Sequence, residues 1–255
     1  MTNAVLVIAQ NTFRETVRDK ILYSLLIFTV FLFGFALLFG DLTVWEHDKL
    51  VSDMGLASIN LVGVIIAIFV GIGLVNKELE RRTIYTVMAR PISRTQFILG
   101  KFGGLALTLL VNVSIMTAIF LALLWMTHVP IRGSILQAIQ LICIELLIVT
   151  ATAIFFSTFS STTLSAIMTL GLYVIGHLTT DLRGIAQKGH SELVKSIMTG
   201  MYYIFPNLEL LNVKGQAASG VPISFAYQLN ASGYGLLYAC LLVVGACLVF
   251  ERRDF

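Results

Sequence analysis

Two places in this 255-residue chain hold side chains whose type and setting could do chemistry. One is Glu145, a single carboxyl in the middle of a long apolar run. The other is the segment KELERRTIYTVMARPISRTQFILGK at 77–101, which carries six of the seventeen Lys and Arg. A carboxylate inside hydrocarbon costs several kcal/mol unless it is protonated, paired or wet, so Glu145 reads in two ways. It lies on a translocation path, together with Asn60 and Asn112, or it is a structural clamp bonded to Asn112, Gln140 or His177 on neighbouring helices. Catalytic motifs are absent from the sequence. There is no G-x-x-x-x-G-K-[ST] phosphate loop, no H-E-x-x-H, no G-x-S-x-G and no carboxylate pair at a spacing suited to general acid and base work. No catalytic residue, metal or cofactor is therefore expected in this chain, and any energy from nucleotide must come from another polypeptide.

The elements that position these residues are membrane helices. Of all residues 57% are hydrophobic and 12% charged, with a mean hydropathy of +0.90, against roughly one quarter charged in an ordinary soluble domain. A net charge of +3 is too small for the broad basic face that nucleic acid requires. Cys143, Cys240 and Cys247 all lie in apolar runs without metal-ligand spacing and read as small packing residues. Five runs, at 21–40, 56–75, 102–126, 135–159 and 231–250, are long enough to cross a hydrocarbon core of about 30 Å as helices. A sixth at 164–180 is shorter and richer in Ser, Thr and Gly. The expectation is an all-α polytopic protein, one transmembrane domain over 1–255, with six spans. The first run reads as a retained span, because Arg14, Glu15, Arg18, Asp19 and Lys20 precede it and no small-residue cleavage site follows.

Orientation follows from the cations, which are retained on the cytoplasmic side of short loops. With both termini inside, eleven of the seventeen Lys and Arg are cytoplasmic, and the short outer loops keep only Lys49 and Arg132. The segment 76–101 is then cytoplasmic and the segment 181–228 is an outer loop.

Within 76–101, Glu78 and Arg82 stand at i, i+4 spacing on a helix, and Pro91 stops or redirects the chain. Ser93-Arg94-Thr95-Gln96 fits a capping box, so a new helix starts at Ser93 and continues into the third span. A short helix, a proline corner and a rigid span rising from that corner can carry a push into the membrane. Arg90 and Lys101 read chiefly as juxtamembrane cations on anionic lipid. For Glu78, Glu80, Arg81, Arg82 and Arg94 the mixed signs favour docking on a protein.

Glu78 or Glu80, Thr83, then Pro91-Ile92-Ser93-Arg94, then Leu99-Gly100-Lys101 entering an apolar helix, resemble the loop between the second and third spans of ABC-2 type permeases. Arg82 stands where many members have Gly. The resemblance implies the membrane subunit of an ATP-binding cassette exporter. It implies that Glu78, Glu80, Arg81, Arg82, Thr83, Pro91, Ser93 and Arg94 belong to a coupling segment docking on a separate ATPase subunit, which binds ATP and Mg. It further implies pairing with a second permease copy or a paralogue, a homodimer being expected, and a place in a bacterial cytoplasmic membrane. The rival readings are an ATP-independent channel or secondary transporter, and a membrane-embedded enzyme.

Three further stretches carry structure. VLVIAQNTFRETVRDK places Val5, Ala9, Phe13 and Val17 on one flank and Asn11, Arg14 and Arg18 opposite, which predicts an amphipathic helix over 1–20 at the inner lipid interface. Gly63, Ala67 and Gly71, with Asn60 on the same side, form a small-residue stripe for close helix packing, within the chain or between two copies. Gly100 and Gly104 repeat the spacing. Before the last span, SELVKSIMTGMYYIF is too short to cross and predicts a re-entrant or interfacial helix, with Tyr202, Tyr203 and Phe205 in the aromatic belt. That segment gates or merely caps the bundle.

Overall fold

The computed structural model describes residues 2–42, 46–80, 93–188 and 204–252, with residues 196, 200 and 202. Helix α1 is Thr2–Val17, α2 Lys20–Asp41, α3 His47–Glu80, α4 Arg94–Met126, α5 Gly133–Ser157 and α6 Thr162–Lys188. A 3-10 turn, Leu208–Leu211, and the short α7, Lys214–Ala218, lead into α8, Phe225–Glu251. There is no strand among the described residues, and six of the helices (α2, α3, α4, α5, α6 and α8) are long and apolar enough to span a membrane. The chain is a multi-pass membrane protein.

The helices overrun the apolar runs that announce them. α3 begins at His47, and α6 continues as helix to Lys188, past the end of its apolar stretch. Hydropathy marks where a helix meets lipid; hydrogen bonding in the backbone continues until a cap or breaker stops it.

Burial separates the bundle into centre and rim. The spanning windows of α3 and α5 are 78% and 72% buried, whereas those of α2 and α6 are each 22% buried. Apolar side chains such as Phe31, Phe69 and Leu237 on the exposed faces suit contact with lipid tails. α3 and α5 run parallel and close: a Cβ added at Gly63 would lie 2.5 Å from Leu146 Cδ1, and one at Gly71 would lie 3.2 Å from the Ala153 Cβ. Ala67 between them is 1% exposed. This small-residue stripe therefore packs inside the chain, where lipid offers no hydrophobic push and close van der Waals contact must serve.

Alternating helix directions give the bundle two ends. At the basal end lie α1, the start of α4, the turn at 158–161 and the end of α8. At the distal end lie the α2–α3 and α4–α5 connections and the residues 204–224. α1 lies against the start of α4, with Cβ atoms at Gly100 and Gly104 excluded by Ile8 and by the Ala9 carbonyl, each at 2.6 Å. Thr12 and Thr16, one turn apart, are buried there, while Leu6, Val7, Gln10 and Arg14 face outward.

Filling the α3–α5 contact should be costly. Gly63→Val is expected to lower stability by about 1–3 kcal/mol, read as a drop in thermal midpoint in detergent or bicelles. Leu146→Ala in the same chain should recover part of the loss; an unchanged midpoint for the single variant would contradict the contact.

Candidate functional site

Glu145 lies at the centre of α5 and is 0% exposed. Its helix satisfies the backbone internally, so the carboxyl must find donors on other elements. α3 supplies Asn60, whose Nδ2 lies 3.3 Å from Oε1 and 3.4 Å from Oε2. α6 supplies His177, whose Nε2 lies 3.0 Å from Oε1. The other ring nitrogen, Nδ1, lies 3.2 Å from Oε2 of Glu209 in the 3-10 turn. Asn212 then donates Nδ2 to both Glu209 oxygens at 3.1 Å. Tyr173, one turn before His177, meets the imidazole edge-on at a centroid distance of 4.7 Å, and its hydroxyl stands beside Asn60 and Glu145.

A continuous polar chain thus runs from Asn60 through Glu145, His177 and Glu209 to Asn212. Side-chain exposure rises along it, from 0% at Glu145 to 20% at His177 and 38% at Glu209. The chain links the middle of the bundle with its distal surface. Among the described residues no group of three or more His, Cys, Asp or Glu is arranged to hold a metal ion. In the trio Glu145, His177 and Glu209 the imidazole stands between the carboxyls.

The chain can reach Glu209 because the distal segment dips into the bundle. Leu208 and Leu211 are buried at 0% and 1%, and Leu208 seats on Gly176 of α6, where a Cβ would come within 2.7 Å of it. α8 holds this segment with three tyrosines on one helical face. Tyr227 and Tyr238 donate to the carbonyls of Leu210 and Ile204 at 2.8 and 3.0 Å, and the Asn207 amide donates to the Tyr234 hydroxyl at 2.8 Å. α5 adds Ser134 to the Ala217 carbonyl at 3.2 Å, with Arg132 just before it donating to the Ala218 carbonyl at 3.2 Å. Gln137 and Gln140 sandwich Gln228 of α8 at 2.9 and 2.6 Å.

The basal end has its own polar joint. Ser93 caps α4 with the reciprocal Ser93–Gln96 capping box that the sequence predicts. Arg94, the first residue of α4, donates to the carbonyls of Phe250 and Glu251 at 3.4 and 2.9 Å, satisfying the C-terminal end of α8. Phe97 and Phe250 stack below it at 5.7 Å.

Of the residues singled out by sequence, Asn60 and Glu145 are joined directly, while Asn112 is not: its Nδ2 donates to the Thr108 carbonyl of its own helix. Gln140 is likewise engaged with Gln228, so of the three expected clamps His177 alone holds Glu145. Lys101, expected at anionic lipid, is 2% exposed with Nζ 5.8 Å from the Phe97 ring centroid; burial beside that ring removes it from the headgroups. Glu78 and Glu80 fall in the last turns of α3, and Arg81, Arg82, Thr83, Arg90 and Pro91 lie outside the described residues, as does most of 189–203. Glu209, Asn212, Tyr173 and the three tyrosines of α8 were not legible as site residues. The tyrosine spacing of seven and then four residues along one helical face is the signal that could have found the last group.

Six spanning helices with a polar chain running from the centre of the bundle to its distal surface define a polytopic membrane protein. A family profile described as ABC-2 family transporter protein matches residues 6–255, and the chain belongs to that family of ABC transporter permeases. It is accordingly the transmembrane subunit and not the ATPase, and permeases of this family generally work with an ATPase subunit. A comparison with curated proteins finds no significant match.

The tyrosine anchors give a local prediction. Tyr234→Phe with Tyr238→Phe should speed amide hydrogen exchange in 204–213 by about tenfold or more, because an orphaned buried amide costs about 1–3 kcal/mol. Exchange in the centre of α5 should not change. Equal exchange in both regions before and after substitution would contradict the anchoring.

Proposed function

We propose that this permease exports its cargo from a bacterial cytoplasm or inner leaflet, driven by ATP bound and hydrolysed with Mg on a separate ATPase subunit. Both termini and the segment 76–101 face the cytoplasm in this reading, and the distal end faces outward. Two permease copies, or this chain and a paralogue, frame the path, and membrane lipids surround them.

Membership of the ABC-2 family over residues 6–255 carries the reading. The basal joint supports it mechanically. The capping box fixes where α4 begins, Arg94 ties that start to the end of α8, and Gly100 and Gly104 seat α1 against the same turns. A displacement of the segment ending at Ser93 therefore moves three helices together rather than bending one. Arg94 in this arrangement transmits motion within the chain through the Phe250 and Glu251 carbonyls, and Glu80, Arg81 and Arg82 remain to meet the ATPase. α1, with Leu6 and Val7 exposed beside Gln10 and Arg14, suits the inner lipid interface.

Charge reversal separates docking from folding. Glu80→Lys with Arg82→Glu should cut co-purification of the partner ATPase at least about tenfold, as loss of complementary charge at a docking surface does. The thermal midpoint of the permease should stay unchanged. Undiminished association together with undiminished ATPase turnover of the complex would contradict the coupling role.

A further inference from the structure

We infer that Glu145 is a proton-binding site loaded from the distal face through Glu209 and His177. Both ring nitrogens of His177 face carboxyl oxygens, Nε2 to Glu145 at 3.0 Å and Nδ1 to Glu209 at 3.2 Å. With the fewest protons, two patterns make both contacts hydrogen bonds. An imidazolium donates to two carboxylates, or a neutral ring donates to one carboxylate and accepts from the other group as a carboxylic acid. Each pattern holds the same single proton beyond the fully deprotonated trio. Without it, a ring lone pair confronts a carboxylate oxygen in a site where water is scarce, and the chain loses one of its links.

The transfer balances without any other reactant. Protonated Glu209 gives its proton to Nδ1 as the Nε2 proton passes to Oε1 of Glu145. Glu209 becomes a carboxylate accepting from Nδ1–H, and Glu145 becomes an acid donating to Nε2. One proton is taken up at the distal surface and one is gained by Glu145; release runs the same steps backward. Among the described residues, the groups facing the relay come from α3, α6, α7, α8 and the stretch after the 3-10 turn. α3 brings Asn60 and α6 brings Tyr173 to Glu145; Lys214 of α7 lies near enough to His177 to act on it electrostatically; Asn212, just after the 3-10 turn, and Tyr227 of α8 stand beside Glu209. Asn60 Oδ1, buried and without a partner, leaves a further acceptor beside Glu145 for a carboxylic O–H. The gradient from 0% exposure at Glu145 to 38% at Glu209 gives the relay one open end, the distal one.

The site is independent of cargo, export direction and ATPase, so the test uses the full-length permease alone in lipid nanodiscs. Infrared difference spectra are recorded on stepping the pH between about 4 and about 8, the range spanned by ordinary Glu and His titration. Wild type should show a protonated-carboxyl stretch that shifts in D2O and is lost in Glu145→Gln. His177→Asn should slow its proton-deuteron exchange at least tenfold while leaving the protein folded. Should Glu145→Gln fail to assemble, Glu209→Gln retains the hydrogen-bonding shape, removes the entry group and should slow exchange to a similar degree. A carboxyl signal unaffected by all three substitutions, or exchanging at the wild-type rate in both His177→Asn and Glu209→Gln, would overturn the inference.

Discussion

A carboxyl group in the middle of a membrane bundle cannot be left alone, and the arrangement of this protein follows from where Glu145 finds its partners. Burying it unpaired would cost several kcal/mol, a large share of what a helical bundle has to spare. Asn60 answers from α3, His177 from α6 and, through the imidazole, Glu209 from the distal segment. Asn60 precedes Gly63 by one turn, so the register that lets Asn60 reach the carboxyl also places Gly63 and Gly71 against Leu146 and Ala153. Polar pairing and close backbone approach fix one alignment of α3 on α5 together.

The two ends of the bundle are secured differently. At the distal end the 3-10 turn is inserted rather than laid on top, with Leu208 and Leu211 buried and three tyrosines of α8 holding the irregular backbone whose carbonyls and amides no helix satisfies. Non-helical backbone at membrane depth is tolerated only when protein supplies such partners. At the basal end the charges are helix caps: Ser93 at the start of α4 and Arg94 on the last carbonyls of α8. One end is a plug attached by side-chain bonds to α5, α6 and α8; the other is a rigid joint among α1, α4 and α8.

Much of this architecture was legible in the sequence, for reasons that can be named. Runs of about twenty apolar residues have few alternatives to a spanning helix, and six spanning helices are present among the described residues. Ser93 and Gln96 at their capping-box spacing located the start of α4, because the bonds they form are local. Interactions that depend on tertiary placement were not legible. Glu209 sits in a short stretch with no periodicity, and nothing near it in sequence announces His177 as its neighbour. Lys101 read as a headgroup cation because its position is juxtamembrane, yet its side chain is buried with the ammonium over the Phe97 ring, a contact that only the folded bundle reveals. α6 outran its apolar stretch because Arg183 and Lys188 lower hydropathy without breaking a helix.

The central claim is that Glu145 and His177 are energetically coupled rather than merely adjacent. A double-mutant cycle between Glu145→Leu and His177→Leu, read as unfolding free energy in bicelles, measures this most directly. The account predicts a coupling of at least about 1 kcal/mol, since each single variant strands a buried polar partner that the double variant does not. Losses that add to within a few tenths of a kcal/mol would contradict it.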